Sequence, residues 1–194
     1  MPARKRIDRE RVLGVSLALA DANGFEAVTL ASVAKALGIR IPSLYNHVAG
    51  LPGLRYEMAL WGLRQLGDDL RRAAVGKAGD DAIISLAHAY RAFAHTHPGI
   101  YRATLRAASP DESELVAASQ DVLDVVLAVM EPYGFSPDDQ LHIIRALRSL
   151  LHGFVDLEIG GGFGMALDRD ESFGQLVELF VQGLHARQVR AVDR

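Results

Sequence analysis

The stretch LASVAKALGIRIPSLYNHV, from Leu30 to Val48, constrains this chain more than any other. Val33, Ala34 and Leu37 recur at helical spacing and share one inward face. Thr29 stands where an N-cap is wanted, and its hydroxyl can take one of the orphan N–H groups of the first turn. Gly38 falls at the C′ position, where a left-handed backbone costs glycine nothing. Ile39 plugs the turn, and Pro42 sits near the start of the next helix, where its missing N–H is not needed. Leu44 and Val48 then anchor this second helix on Leu13, Leu17 and Leu30, and the small Ala34 lets the two helices cross closely. Two short helices hinged on a glycine form the helix-turn-helix plan.

The outward positions of the second helix are Arg40, Ile41, Ser43, Tyr45, Asn46 and His47. Tyr45, His47 and Thr29 can donate to phosphates. Arg40, Ser43 and Asn46 suit base edges, and Ile41 suits a thymine methyl. Such a set matches a recognition helix in the major groove of double-stranded DNA. A plain helical hairpin inside an all-α protein shows the same apolar spacing, and the spacing alone does not choose.

Composition narrows the class. The chain has 194 residues, 49% of them apolar and 23% charged, enough for a sizeable core in one or two domains. No run approaches the roughly 20 apolar residues of a membrane helix. The first residues, MPARKRIDRERV, lack the apolar segment of a signal peptide, so a cytoplasmic protein without a membrane partner is expected. The absence of cysteine excludes disulfides, thiolate catalysis and zinc–thiolate sites. The net charge of −3 is unevenly spread: residues 1–75 hold 11 Lys/Arg against 7 Asp/Glu, and the remainder 10 against 17. A basic third joined to an acidic remainder points to two jobs.

Helical spacing continues to the end, giving about nine helices and an all-α chain. Asp8 can cap the first, which runs to Asn23-Gly24. A long helix follows from about Pro52 to Ala74, and two more fall within Asp80–His97 and Pro98–Ala107. Ser109-Pro110-Asp111-Glu112 reads as a full capping box opening the seventh, and Ser136-Pro137-Asp138-Asp139 opens the eighth. Gly160-Gly161-Gly162 ends that one, and a last helix carries Phe173, Leu176, Val177, Phe180 and Leu184.

Thr29–Leu54, TLASVAKALGIRIPSLYNHVAGLPGL, resembles the DNA-binding motif of the TetR family of transcriptional regulators. Thr29, Ala34, Leu37, Gly38, Ile39, Leu44, Tyr45, His47 and Val48 match its pattern, and so does Gly24-Phe25. The resemblance implies a homodimer on a pseudo-palindromic operator. It also implies a larger helical domain that binds a small-molecule effector and then releases the DNA, the behaviour of a repressor. One departure is Leu51, which stands where family members often carry a phosphate-contacting lysine. That shifts phosphate affinity toward Tyr45, His47, Thr29 and an arm of Arg4, Lys5 and Arg6. Further along, Leu147–Met165 resembles the C-terminal domain of one branch of the family through His152-Gly153, Leu157-Glu158 and Gly161-Gly162-Phe163. The domains expected are a DNA-binding head over 1–50 and a ligand-binding and dimerisation domain over 51–194.

The last two long helices are apolar on more than one face, whereas packing on one side needs a single stripe. Ile144, Leu151 and Val155, with Val177, Val181 and Leu184, are the candidate faces of an isologous four-helix dimer interface. A central helix of a monomer would carry the same stripes. Candidate lining of an effector pocket mixes large and polar side chains: Met58, Trp61, Tyr90, Phe93, Tyr101, Leu105, His152 and Phe154. His95-x-His97 does not share a helix face, so no metal is expected. No cofactor and no catalytic arrangement is expected either. The rival class is a helical carrier or enzyme with no DNA role, which would have no need of the exposed polar set at 40–47.

Overall fold

The computed structural model describes residues 7–192. They form nine α-helices, two short 3-10 turns and no strand. The helices are α1 (Arg9–Asn23), α2 (Leu30–Leu37), α3 (Ile41–Leu44), α4 (Gly50–Ala74) and α5 (Gly79–Thr96), then α6 (Pro98–Ala103), α7 (Ser113–Met130), α8 (Pro137–Ile159) and α9 (Arg169–Val192). The basic arm of Arg4, Lys5 and Arg6 lies outside the described residues.

Local chemistry sets the boundaries. The Asp8 carboxylate accepts from the Arg11 N–H at 2.9 Å and opens α1. Ser136 opens α8, accepting from the Asp139 N–H, while Pro137 takes the first helical position. The Ser109 box behaves differently. Glu112 does reach back to the Ser109 N–H at 2.8 Å, but α7 begins only at Ser113. The Glu112 carboxylate is also gripped by both terminal nitrogens of Arg106, at 2.7 and 2.8 Å, which makes 109–112 a tight turn rather than a first helical turn. The sixth helix also ends early, at Ala103.

The chain divides into two compact units: residues up to Gln65 with Thr96–Ala118, and Leu66–His95 with residues from Ser119 onward. In the first, α1 packs on α2 and α6, and α2 on α3. Asp21 of α1 caps α6 directly. One carboxylate oxygen accepts from the N–H groups of Gly99 and Ile100, each at 3.1 Å, and the other meets His97 Nδ1 at 2.9 Å. A Cβ on Gly99 would lie 2.0 Å from the Ala20 carbonyl oxygen, so α1 and α6 approach as closely as backbone permits. Ala59, Leu60, Leu63, Ala103, Leu115 and Ala118 form a buried cluster beside them.

In the second unit α8 packs on α9. Its buried residues include Ile83 and Phe93 of α5, Leu147 and Val155 of α8, and Phe173 and Val177 of α9. Within it sits an ion pair with 14% and 5% of the two side chains exposed. Arg91 Nε and Nη2 donate to the two oxygens of Glu158 at 2.8 and 2.6 Å, and His95 Nε2 meets the same carboxylate at 2.8 Å. The guanidinium lies over the Phe173 ring, 4.8 Å from its centroid, and also donates to Asp170 at 2.7 Å. Elsewhere in this unit the Tyr133 hydroxyl donates to Asp80 at 2.6 Å, and His185 Nε2 lies 2.9 Å from the same carboxylate.

Candidate nucleic-acid interface

Thr29 and Ser32 fix the start of α2 reciprocally. The Thr29 hydroxyl accepts from the Ser32 N–H at 3.1 Å, and the Ser32 hydroxyl accepts from the Thr29 N–H at 2.9 Å. Ser32 thus plays the part usually given to Glu or Gln, which is why sequence reading passes over it. Gly38 closes α2 with φ +68° and ψ +34°, and the Ile39 N–H returns to the Ala34 carbonyl at 3.0 Å. The chain then re-enters at Arg40, whose extended backbone leads into α3 with Pro42 in its first turn.

Regular α-helix in the reading element covers only Ile41–Leu44, shorter than the pattern to Val48 suggests. The Leu44 carbonyl accepts from both His47 at 2.8 Å and Val48 at 3.0 Å, so the last turn tightens instead of continuing. Leu44 and Val48 are buried, and with Val33 and Ala34 they pin the turn to the head. The opposite side is open. Thr29, Arg40, Ile41, Ser43, Tyr45 and Asn46 are exposed, Tyr45 by 61%, and His47 is half-buried. The structure therefore brings Arg40, Ile41, Ser43, Tyr45 and Asn46 to one short, solvent-facing element, while Thr29 caps α2. No Asp or Glu occurs between Ala27 and Tyr56, where Lys35, Arg40 and Arg55 lie, so nothing acidic in that segment opposes a phosphate backbone. Leu51, in the first turn of α4, adds no charge.

Other candidates fall as follows. Met58, Trp61, Tyr101 and Leu105 belong to the first unit, with Met58 and Tyr101 buried and Trp61 edge-on to His97. Tyr90, Phe93, His152 and Phe154 belong to the second, where Phe154 meets Phe163 and Phe173. Of the residues assigned to a partner face, Leu151, Val155, Val177, Val181 and Leu184 are buried within the protomer, and Ile144 is half-buried. A buried side chain has no surface to offer a second copy, so that stripe is protomer core. Leu150 and Leu157 on α8 and Leu179 on α9 are among the exposed apolar positions of these helices. Helical periodicity finds both stripes but cannot say which one the protomer covers.

His95 and His97 serve different carboxylates, Glu158 and Asp21. Among the described residues no group of three His, Asp or Glu side chains could hold a metal ion, and no helix is long and apolar enough to cross a membrane. Sequence reading missed Arg91 and Asp21. The one signal for the first was Glu158, an acid flanked by Leu157 and Ile159 in α8.

Residues 83–180 match a family model described as the tetracyclin repressor-like C-terminal domain. The chain is 35% identical over 185 residues to YobS of Bacillus subtilis, an uncharacterized HTH-type transcriptional regulator, covering 95% of this chain and 96% of that one. It is 34% identical to another, Rv0681 of Mycobacterium tuberculosis, covering 94% of this chain and 84% of the relative. A crystal structure of a TetR variant from Acinetobacter baumannii AYE in complex with minocycline shares the fold, with a TM-score of 0.71, 16% identity, and 94% and 99% of the two chains covered.

Proposed function

Since this chain belongs to the TetR family of DNA-binding transcriptional regulators, we propose that it acts as a homodimeric repressor whose operator is a pseudo-palindrome and whose release from DNA is driven by a small molecule. The observation that carries the DNA reading is the exposed set Arg40, Ile41, Ser43, Tyr45, Asn46 on an element pinned by Leu44 and Val48. Tyr45, His47 and Thr29 take phosphates, while Arg40, Ser43 and Asn46 face bases. Residues 1–50 form the reading head, and 51–194 carry dimerisation and the effector.

For the dimer, the second copy docks on the exposed stripes. Ala146, Leu150, Gly153 and Leu157 recur at helical spacing on α8, as do Leu176, Leu179 and Gly183 on α9. A Cβ on Gly153 or Gly183 would meet nothing in the protomer, so both leave room for a close neighbour. For the effector, the aromatic group of the second unit around Phe154, with Tyr90, Phe93 and His152, is the proposed lining. The minocycline complex of the Acinetobacter relative supports an effector of drug-like size. Effector binding favours a conformer whose two heads no longer match consecutive major grooves, about 34 Å apart.

The test is recovery of bound fragments from sheared host DNA at near-physiological salt. Enrichment of one pseudo-palindrome is expected, lost in the double variant Tyr45→Ala, Asn46→Ala with folding and dimerisation intact. Binding that survives the double variant removes this reading head. No enrichment shifts the reading to a carrier or enzyme.

A further inference from the structure

A cleft of about 830 Å³ opens within the first unit, between the end of α1, the turn Phe25–Ala27, the start of α4 and the chain following α6. Its size falls among small-molecule sites, which run from about 300 to 1,000 Å³. Phe25, Tyr56, Ala59 and Leu105 give it an apolar wall. Phe25 and Tyr56 pack on the buried cluster that includes Ala59, so this wall is backed by core.

Three arginines, Arg55, Arg102 and Arg106, line the same cleft against two acids, Glu26 and Glu112. Glu112 is committed, since it holds both terminal nitrogens of Arg106 and the Ser109 N–H. Glu26 is not. Its side chain is 82% exposed, and it takes only Nη2 of Arg55, at 2.8 Å. Arg55 Nε is buried and has no acceptor. A guanidinium offers Nε and Nη2 as a parallel pair that suits one carboxylate in bidentate fashion. Half of that fork is unused, while its plane is steadied over the Phe25 ring, 5.3 Å from the centroid.

We propose that this cleft binds a small organic monocarboxylate with an apolar body, its carboxylate displacing Glu26 and engaging both Nε and Nη2 of Arg55. An exposed ion pair such as Arg55–Glu26 contributes little, so a competing carboxylate gives up little in replacing it. The turn at Phe25–Ala27 runs directly into Thr29, the cap of α2, so an occupant touches the segment that sets the reading helices. The cleft belongs to the first unit and the aromatic group proposed above for the effector to the second, and the inference stands without that reading.

Benzoate is the probe, with benzamide as its uncharged counterpart, in calorimetric titrations of the full chain at matched ionic strength. Saturable benzoate binding is expected, with benzamide at least about tenfold weaker. Arg55→Gln should abolish the binding, and Arg55→Lys, which keeps the charge but loses the fork, should weaken it by about tenfold. Glu26→Gln, at an exposed position that leaves folding untouched, should tighten it about threefold by removing the competitor. Equal binding of benzoate and benzamide, no saturable binding up to about 10 mM, affinity unchanged in Arg55→Gln, or affinity not raised in Glu26→Gln would each overturn the assignment. If Arg55→Gln fails to fold, the Glu26 variant decides alone.

Discussion

Glu158 is a position where one polar substitution should cost the second unit several kcal/mol. Its carboxylate is 5% exposed and takes two hydrogen bonds from Arg91 and one contact from His95. The Arg91 hydrogen bonds outweigh the cost of burial and hold its pKa at about 2, against an ordinary 4.5. At about 1.4 kcal/mol per pH unit, that interval corresponds to about 3 kcal/mol of stability near neutral pH. The folded pKa is depressed, so the contribution is present above pH 4.5 and drains away as pH falls toward 2. Glu158→Gln removes it and also strands Arg91, left with the exposed Asp170 as its carboxylate partner. Removing one member of a buried pair costs about 3–5 kcal/mol, which for a chain of this size lowers Tm by about 6–20 °C. Urea titrations followed by far-UV circular dichroism, repeated at several pH values, read both effects. The wild type should lose stability progressively between about pH 5 and pH 2, and the variant should show a flatter profile over that range. A variant that loses less than about 1 kcal/mol near neutral pH, or keeps the full acid dependence, would refute the reasoning.

Other outcomes follow from single contacts. Gly38→Ala must place a Cβ at φ +68° and should cost about 1–2 kcal/mol, seen as a lower Tm, with weaker operator binding in an anisotropy titration. Leu179→Glu, at a side chain 66% exposed in the protomer, should leave helicity unchanged while sedimentation velocity shows a monomer. The hydrogen bond to Asp80 raises the His185 pKa. That contact therefore stabilises below about pH 6.5 and fades as pH rises through the higher folded value. Asp80→Asn should flatten thermal stability against pH across that window, and an unchanged slope would remove His185 from the account.

Capping and turn signals were legible because they act over a few residues. Asp8, Thr29, Gly38, Pro42 and Ser136 do locally what their types dictate, and the element they build at 29–48 exposes the residues assigned to DNA. The Ser109 box misled for a reason outside its own four residues: Arg106 competes for Glu112, and the helix starts after the turn that pairing makes. The second stripe on α8 misled in another way. Leu151 and Val155, four residues apart, and Leu150 and Leu157, seven apart, both keep a helical period, and only burial tells core from open face.

The amino-acid sequence by itself determined an all-helical chain, the places where most helices begin and end, and the two short helices hinged on Gly38, since these depend on periodicity and on hydrogen bonds closed within four residues. Tertiary structure alone decided which apolar stripe is covered. It joined Arg91 to Glu158 across 67 positions and Asp21 to Gly99 across 78, and it gathered Arg55, Arg102 and Arg106 around one cleft. Such pairings depend on how helices far apart in sequence pack, and no local pattern encodes that.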